Sequence, residues 1–114
     1  MAMRVFCICA VLTLFCLPCA ATEIRVRNDS DVMLTRVIVG SKNYGDIPPH
    51  ATTDYQHWDL AYHSASVALT ANGNAILFQP RHYLREGELG RGKYTYVLQF
   101  QSGVFRISAE KDEE

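Results

Sequence analysis

The chain has 114 residues, 48% of them hydrophobic and 20% charged, which is the composition of one ordinary globular domain. Its 11 Lys plus Arg stand against 12 Asp plus Glu, and that near-balance excludes the basic footprint of a dedicated nucleic-acid binder. Nothing in it approaches a collagen repeat, a coiled coil or a disordered tail.

Residues 1–21 differ from the rest. Arg4 supplies a short positive region, the run 5–17 carries no charge, and Cys19-Ala20-Ala21 puts small residues ahead of a cut after Ala21. The apolar run of about 13 residues is shorter than the roughly 20 that a bilayer-crossing helix needs. A secretory signal peptide is therefore expected, with the mature chain exported to a periplasm or an extracellular medium and carrying no transmembrane helix. All the cysteines, Cys7, Cys9, Cys16 and Cys19, fall within this segment. The mature domain is then expected to hold no disulfide, thiol nucleophile or cysteine metal ligand, so its stability must come from apolar burial. Lipidation of Cys19 would want a small residue just before it, where Leu17-Pro18 stands instead.

Beyond residue 21 apolar and polar side chains alternate with period two, and no helical stripe recurs, so the domain 22–109 is expected to be all-β. Residues 23–28 form an opening strand with Ile24 and Val26 inward, and Asn28-Asp29-Ser30-Asp31 makes a turn, because such side chains bond their own backbone. A second strand covers 32–39 and Gly40-Ser41-Lys42-Asn43 closes it. The short extended piece 44–47 meets Pro48-Pro49, which lack ladder donors and mark an edge or a crossover between sheets. Residues 52–58 read as a strand with Thr53, Tyr55 and His57 on one face and Asp54, Gln56 and Trp58 on the other, only one of which can be core.

Asn72-Gly73 is the sharpest local signal, since a two-residue type I′ turn needs positive φ at both positions. It predicts a hairpin of 64–71 with 74–79, in which Val67 and Leu69 face the core opposite either Ile76 and Phe78 or Leu77. Residues 80–92 form the longest loop. Residues 93–101 make the next strand with Tyr94, Tyr96, Leu98 and Phe100 on one face, Ser102-Gly103 turns, and 104–109 end the domain with Phe105 and Ile107 inward. Residues 110–114 read as a solvated acidic tail. About seven or eight strands at such spacing predict a small antiparallel β-sandwich, immunoglobulin-like and without a disulfide.

Catalytic signatures are missing from this pattern. No Gly-x-Ser-x-Gly elbow occurs, the glycines at 87, 90 and 92 lack the strand and helix of a phosphate loop, and the histidines at 50, 57, 63 and 82 match no compact metal motif. No enzyme activity, cofactor or metal is expected. Asn28-Asp29-Ser30 also fits a glycosylation sequon, although the turn already accounts for it. The residues left for function are aromatic and basic side chains in loops: Trp58, Tyr62, Arg81, His82, Tyr83 and Arg85. Tyr, Trp and Arg combine apolar area with directional hydrogen bonds and so predominate at binding hot spots. The leading expectation is a module that recognises a protein, of inhibitor or immunity type, through residues 58–62 and 81–88. Two alternatives remain: a carbohydrate or envelope binder stacking sugars on Trp58, Tyr62 or Tyr44, with Trp58 a core residue if it does not serve there, and an assembly subunit that pairs through the edge 44–47.

Overall fold

The structure, a computed structural model, describes residues 21–81 and 87–112. The expected signal peptide, together with His82, Tyr83 and Arg85, falls outside the described residues except for Ala21. Among the described residues there are eight strands and no helix: β1 (Thr22–Asn28), β2 (Leu34–Val39), β3 (Lys42–Ile47), β4 (Gln56–Trp58), β5 (Val67–Ala71), β6 (Asn74–Phe78), β7 (Gly92–Gln101) and β8 (Val104–Lys111). They form two four-stranded sheets, in the orders β4-β1-β7-β8 and β3-β2-β5-β6. Ile24, Val26, Tyr96 and Leu98 from the first sheet and Leu34, Val37, Val67 and Leu69 from the second share one core, which makes the domain a small β-sandwich. No helix among the described residues is long and apolar enough to cross a membrane.

The sandwich is mixed rather than wholly antiparallel, because β1 and β7 pair in parallel from Thr22 opposite Gly92 to Asn28 opposite Leu98. The cause is connectivity. After β1 the chain crosses to the other sheet, so β1 has no hairpin partner of its own and fills the gap between β4 and β7. The direction of β7 is already set by its hairpin with β8. β7 is flanked by strands on both edges. Tyr94, Tyr96 and Leu98 enter the core, while Thr95 and Val97 are buried on the opposite face.

The two glycine hairpins follow their local chemistry. Asn72 and Gly73 have φ of 52° and 79°, and Ser102 and Gly103 have 52° and 79°, the positive values that a type I′ turn requires. The register places Leu69 opposite Ile76 and Val67 opposite Phe78, so Ile76 and Phe78 face inward and Leu77 is left 69% exposed. Pro48-Pro49 carry the chain from β3 in one sheet to β4 in the other. The expected strand 52–58 pairs regularly only over Gln56–Trp58. Upstream of it Thr52 makes a lone bridge to Arg27, and the Thr53 N–H donates to the Val26 carbonyl at 2.9 Å.

Two features lay beyond the period-two pattern. β2 bulges at Arg36, whose φ is 54° and whose N–H donates to Asp46 Oδ1 at 3.0 Å, so that Leu34 and Val37 are both buried although three residues apart. At the other end of the chain, β8 runs through Lys111, and Asp112 is tied down rather than solvated. Thr95 Oγ1 and Tyr55 Oη donate to its carboxylate at 2.9 and 2.6 Å, Arg25 Nε lies 3.4 Å away, and its own N–H donates to the Lys93 carbonyl at 2.8 Å. The ordered sandwich thus extends past the expected boundary at 109, because buried Thr95 presents a hydroxyl that the next acidic side chain can satisfy.

Candidate functional site

Strand directions bring three connections to one end of the sandwich: the Gly40-Ser41 turn between β2 and β3, residues 59–66 between β4 and β5, and the described residues 79–81 and 87–91 between β6 and β7. The two loops singled out by sequence are therefore neighbours. Tyr62 bridges Glu88 in antiparallel fashion, the Leu89 N–H donates to the Ala61 carbonyl at 2.8 Å, and His63 Nδ1 lies 3.1 Å from the Gly87 carbonyl. From beneath, the buried Tyr96 hydroxyl donates to the Tyr62 carbonyl at 2.5 Å. The bend is held by the core strand β7 instead of hanging free, which is how a rigid scaffold presents a loop.

Trp58 supports this end from inside. It is 8% exposed, meets Tyr96 edge-on with ring centroids 5.7 Å apart at 79°, and donates from Nε1 to Tyr44 Oη at 3.0 Å. Tyr44 Oη passes the interaction on by donating to the Ile24 carbonyl at 2.7 Å. Gly40, at φ 61°, lies so close that a Cβ there would meet the Trp58 ring at 2.9 Å, so the turn glycine is required both for conformation and for the ring. Trp58 is accordingly a core residue that shapes the site, with little surface left for a partner or a sugar to stack on. The hydroxyl of Tyr44 is likewise engaged inside.

Between these connections lies a groove of about 240 Å³ lined by Trp58, Leu60, Tyr62, Ala65, Gln79 and Pro80. Leu60, 52% exposed, is its apolar rim, and Arg81 follows directly after Pro80 on the surface. Of the six predicted recognition residues, Tyr62 lies on the groove, Arg81 stands beside it, Trp58 backs it, and His82, Tyr83 and Arg85 lie outside the described residues. Sequence reasoning missed Leu60. It lies within the expected segment 58–62 but was not singled out, and the bend that buries Trp58 and Ala61 turns it outward.

Among the described residues no three His, Cys, Asp or Glu side chains converge on one point. His50 Nε2 pairs with Asp31 at 2.9 Å and His57 Nε2 with Asp59 at 3.0 Å, both in the open, while His63 is committed to the Gly87 carbonyl. The perturbed groups are phenols. Burial holds the Tyr96 proton far above the ordinary phenol range, and burial also raises Tyr44, partly offset by the hydrogen bond from Trp58. Unfolded phenols titrate near 10, so this stabilisation is complete below about pH 10 and is lost as pH rises through the folded-state values. Urea unfolding from about pH 8 to pH 11 is expected to show a steep alkaline loss of stability. Tyr96→Phe should be less stable at neutral pH by about 1–2 kcal/mol but lose less on the alkaline side. Equal alkaline slopes for the two proteins would contradict this assignment.

No protein-family model matches this chain, and no curated protein matches its sequence.

Proposed function

We propose that this chain is an exported, non-enzymatic binding module with an immunoglobulin-like sandwich, and that it recognises a protein partner, of inhibitor or immunity type, with the loop end that carries Leu60, Tyr62 and Arg81. The observation that carries the reading is the groove rimmed by exposed Leu60 and held rigid by the Tyr96, Leu89 and Trp58 contacts beneath it. A half-buried tyrosine and an arginine on a held backbone are residue types enriched at binding hot spots, and exposed Leu60 adds apolar area beside them. Export is supported by the charge-free run 5–17 behind Arg4 and by the small residues Cys19 and Ala21 ahead of the expected cut. The two four-stranded sheets over one core support the immunoglobulin-like assignment.

The test is affinity capture with the tagged chain from the exported and envelope proteins of its source, repeated with Leu60→Asp and Tyr62→Ala. Leu60 is exposed, so its replacement leaves the core intact. One stoichiometric protein should be captured by the native chain and weakened about tenfold or more by Leu60→Asp, a loss of about 1.4 kcal/mol or greater. Capture of the same protein at unchanged strength by Leu60→Asp would move the contact elsewhere, and capture of polysaccharide alone would replace the protein-binding reading.

A further inference from the structure

A sandwich leaves four edge strands, and natural sheets guard such edges with shortness, bulges, prolines or charge. Here β4 has three residues, and β3 is thrown out of register twice before running into Pro48-Pro49. β6 has five residues. The remaining edge, β8, is eight residues long, pairs with β7 without a register shift and contains no proline. Its protection would have to come from its charges, Arg106, Glu110 and Lys111, and the placement of those charges favours a second copy.

The hairpin geometry decides which main-chain groups of β8 are free. Gln101 and Val104 flank the two-residue Ser102-Gly103 turn and are a hydrogen-bonded pair, so Val104, Arg106, Ser108 and Glu110 point their N–H and C=O groups at β7. Phe105, Ile107, Ala109 and Lys111 therefore point theirs outward. Side chains alternate in the other sense. Arg106, Ser108 and Glu110 project from the exposed outer face, while Phe105, Ile107 and Ala109 line the inner face, where they remain only partly buried against the core. Phe105 meets Phe78 of β6 at 5.4 Å, marking the side of the sandwich where β6 and β8 leave the core incompletely covered.

We propose that β8 is the interface through which two copies of this chain join, antiparallel about a two-fold axis at Ser108. In that register Phe105 lies opposite Lys111 of the second copy and Ile107 opposite its Ala109, and all of these residues carry outward-facing backbone groups. About eight main-chain hydrogen bonds result. The same register sets Arg106 directly opposite Glu110 of the second copy, twice by symmetry, in the non-hydrogen-bonded pairs where cross-strand side chains approach closest. Arg106 makes no ion pair among the described residues, and Glu110 is reached by Arg27 only at 3.7 Å on the surface. A slip of two residues on each side, about Arg106, would instead set the two arginines against each other. Charge complementarity thus favours a second copy and this register over the slipped one, and Ile107 meeting Ala109 of the other copy covers apolar surface that the single sandwich leaves open.

Sedimentation of the full chain over the micromolar range is expected to show a concentration-dependent dimer. Arg106→Glu and Glu110→Arg should each raise the dissociation constant about tenfold or more, since each faces like charges across the axis. The double variant R106E/E110R should recover the native value. Ser108→Cys should form a disulfide between two copies, identified as a 108–108 linked peptide by mass spectrometry. Melting curves confirm that each variant is folded, which exposed positions on an outer sheet face permit. A chain that stays monomeric throughout overturns the proposal. So does a dimer that is indifferent to Arg106→Glu, or one whose Ser108→Cys variant yields no 108–108 linked peptide.

Discussion

Replacing Asn28 with alanine is expected to destabilise the domain by about 3–5 kcal/mol, read as a fall in the urea midpoint with an unchanged slope. Asn28 is fully buried at the end of β1. Its Nδ2 group donates to the carbonyls of Val32 at 2.7 Å, Ile47 at 2.9 Å and Pro48 at 3.1 Å, and its Oδ1 accepts from the Ser30 N–H at 3.1 Å and the Ser30 hydroxyl at 2.6 Å. One amide therefore closes the turn that follows β1 and also clamps the end of β3 and the crossover from the opposite sheet. Alanine strands these groups, and a buried polar group without a partner costs about 1–3 kcal/mol. Asn28→Asp is a sharper test, since it sets a carboxylate against three carbonyl oxygens. Its folded-state pKa would be raised, so this variant should lose stability as pH rises above about 4. A loss below about 1 kcal/mol for Asn28→Ala would contradict the assigned role. The same burial means that the Asn28-Asp29-Ser30 sequon presents no accessible amide to a glycosylating enzyme once the sandwich has formed.

Trp58→Ala should cost about 3–5 kcal/mol, a large share of the 5–15 kcal/mol available to a domain of this size. The ring fills the space beneath the Gly40 turn, packs edge-on against Tyr96 and donates to Tyr44. Its loss leaves a cavity bounded by backbone that cannot close over it. Trp58→Phe keeps most of the volume and removes the Nε1 donor, so about 1–2 kcal/mol is expected. The chain has a single tryptophan, which makes the native protein its own reporter. Emission should be blue-shifted in the folded state and move to the red across the same urea transition seen by circular dichroism. A Trp58→Ala protein that melts within a degree or two of the native one would show that the ring is dispensable to the core. Because Trp58 backs the groove, its alanine variant should also weaken partner capture, but only in step with its loss of folding. Leu60→Asp should weaken capture at unchanged stability, and this contrast separates a supporting residue from a contacting one.

What was legible in the residues follows from the range of the forces involved. Ile24 and Val26 alternate with charged neighbours, and a pleated strand with one buried face needs nothing more to declare itself, whereas β7 keeps the period in Tyr94, Tyr96 and Leu98 but buries Thr95 and Val97 as well. Asn72-Gly73 carries its turn in its own φ preferences, and Pro48-Pro49 carry a break in theirs. The loops proposed for recognition were legible as loops, and the sheet directions do bring residues 58–62 and 87–89 together. Their internal sorting was not legible. Trp58 and Leu60 are both large apolar side chains in one bend, and which of them faces inward depends on Gly40 and Tyr96, residues 18 and 38 positions away in the chain.

By itself the sequence determined the all-β character of the domain, its hairpins, the inward faces of most strands and the lack of cysteine beyond residue 19, since these depend on side-chain period, local dihedral preference and composition. Only the tertiary structure decided the parallel pairing of β1 with β7, the choice of Ile76 and Phe78 over Leu77, the capture of Asp112 by Thr95 and the role of Asn28 as a clamp between sheets. Each of these joins groups that are distant in the chain or neutral in local preference, so the outcome is set by which buried polar atoms must find partners and which apolar faces must be covered. Such demands exist only once the two sheets have closed on a common core.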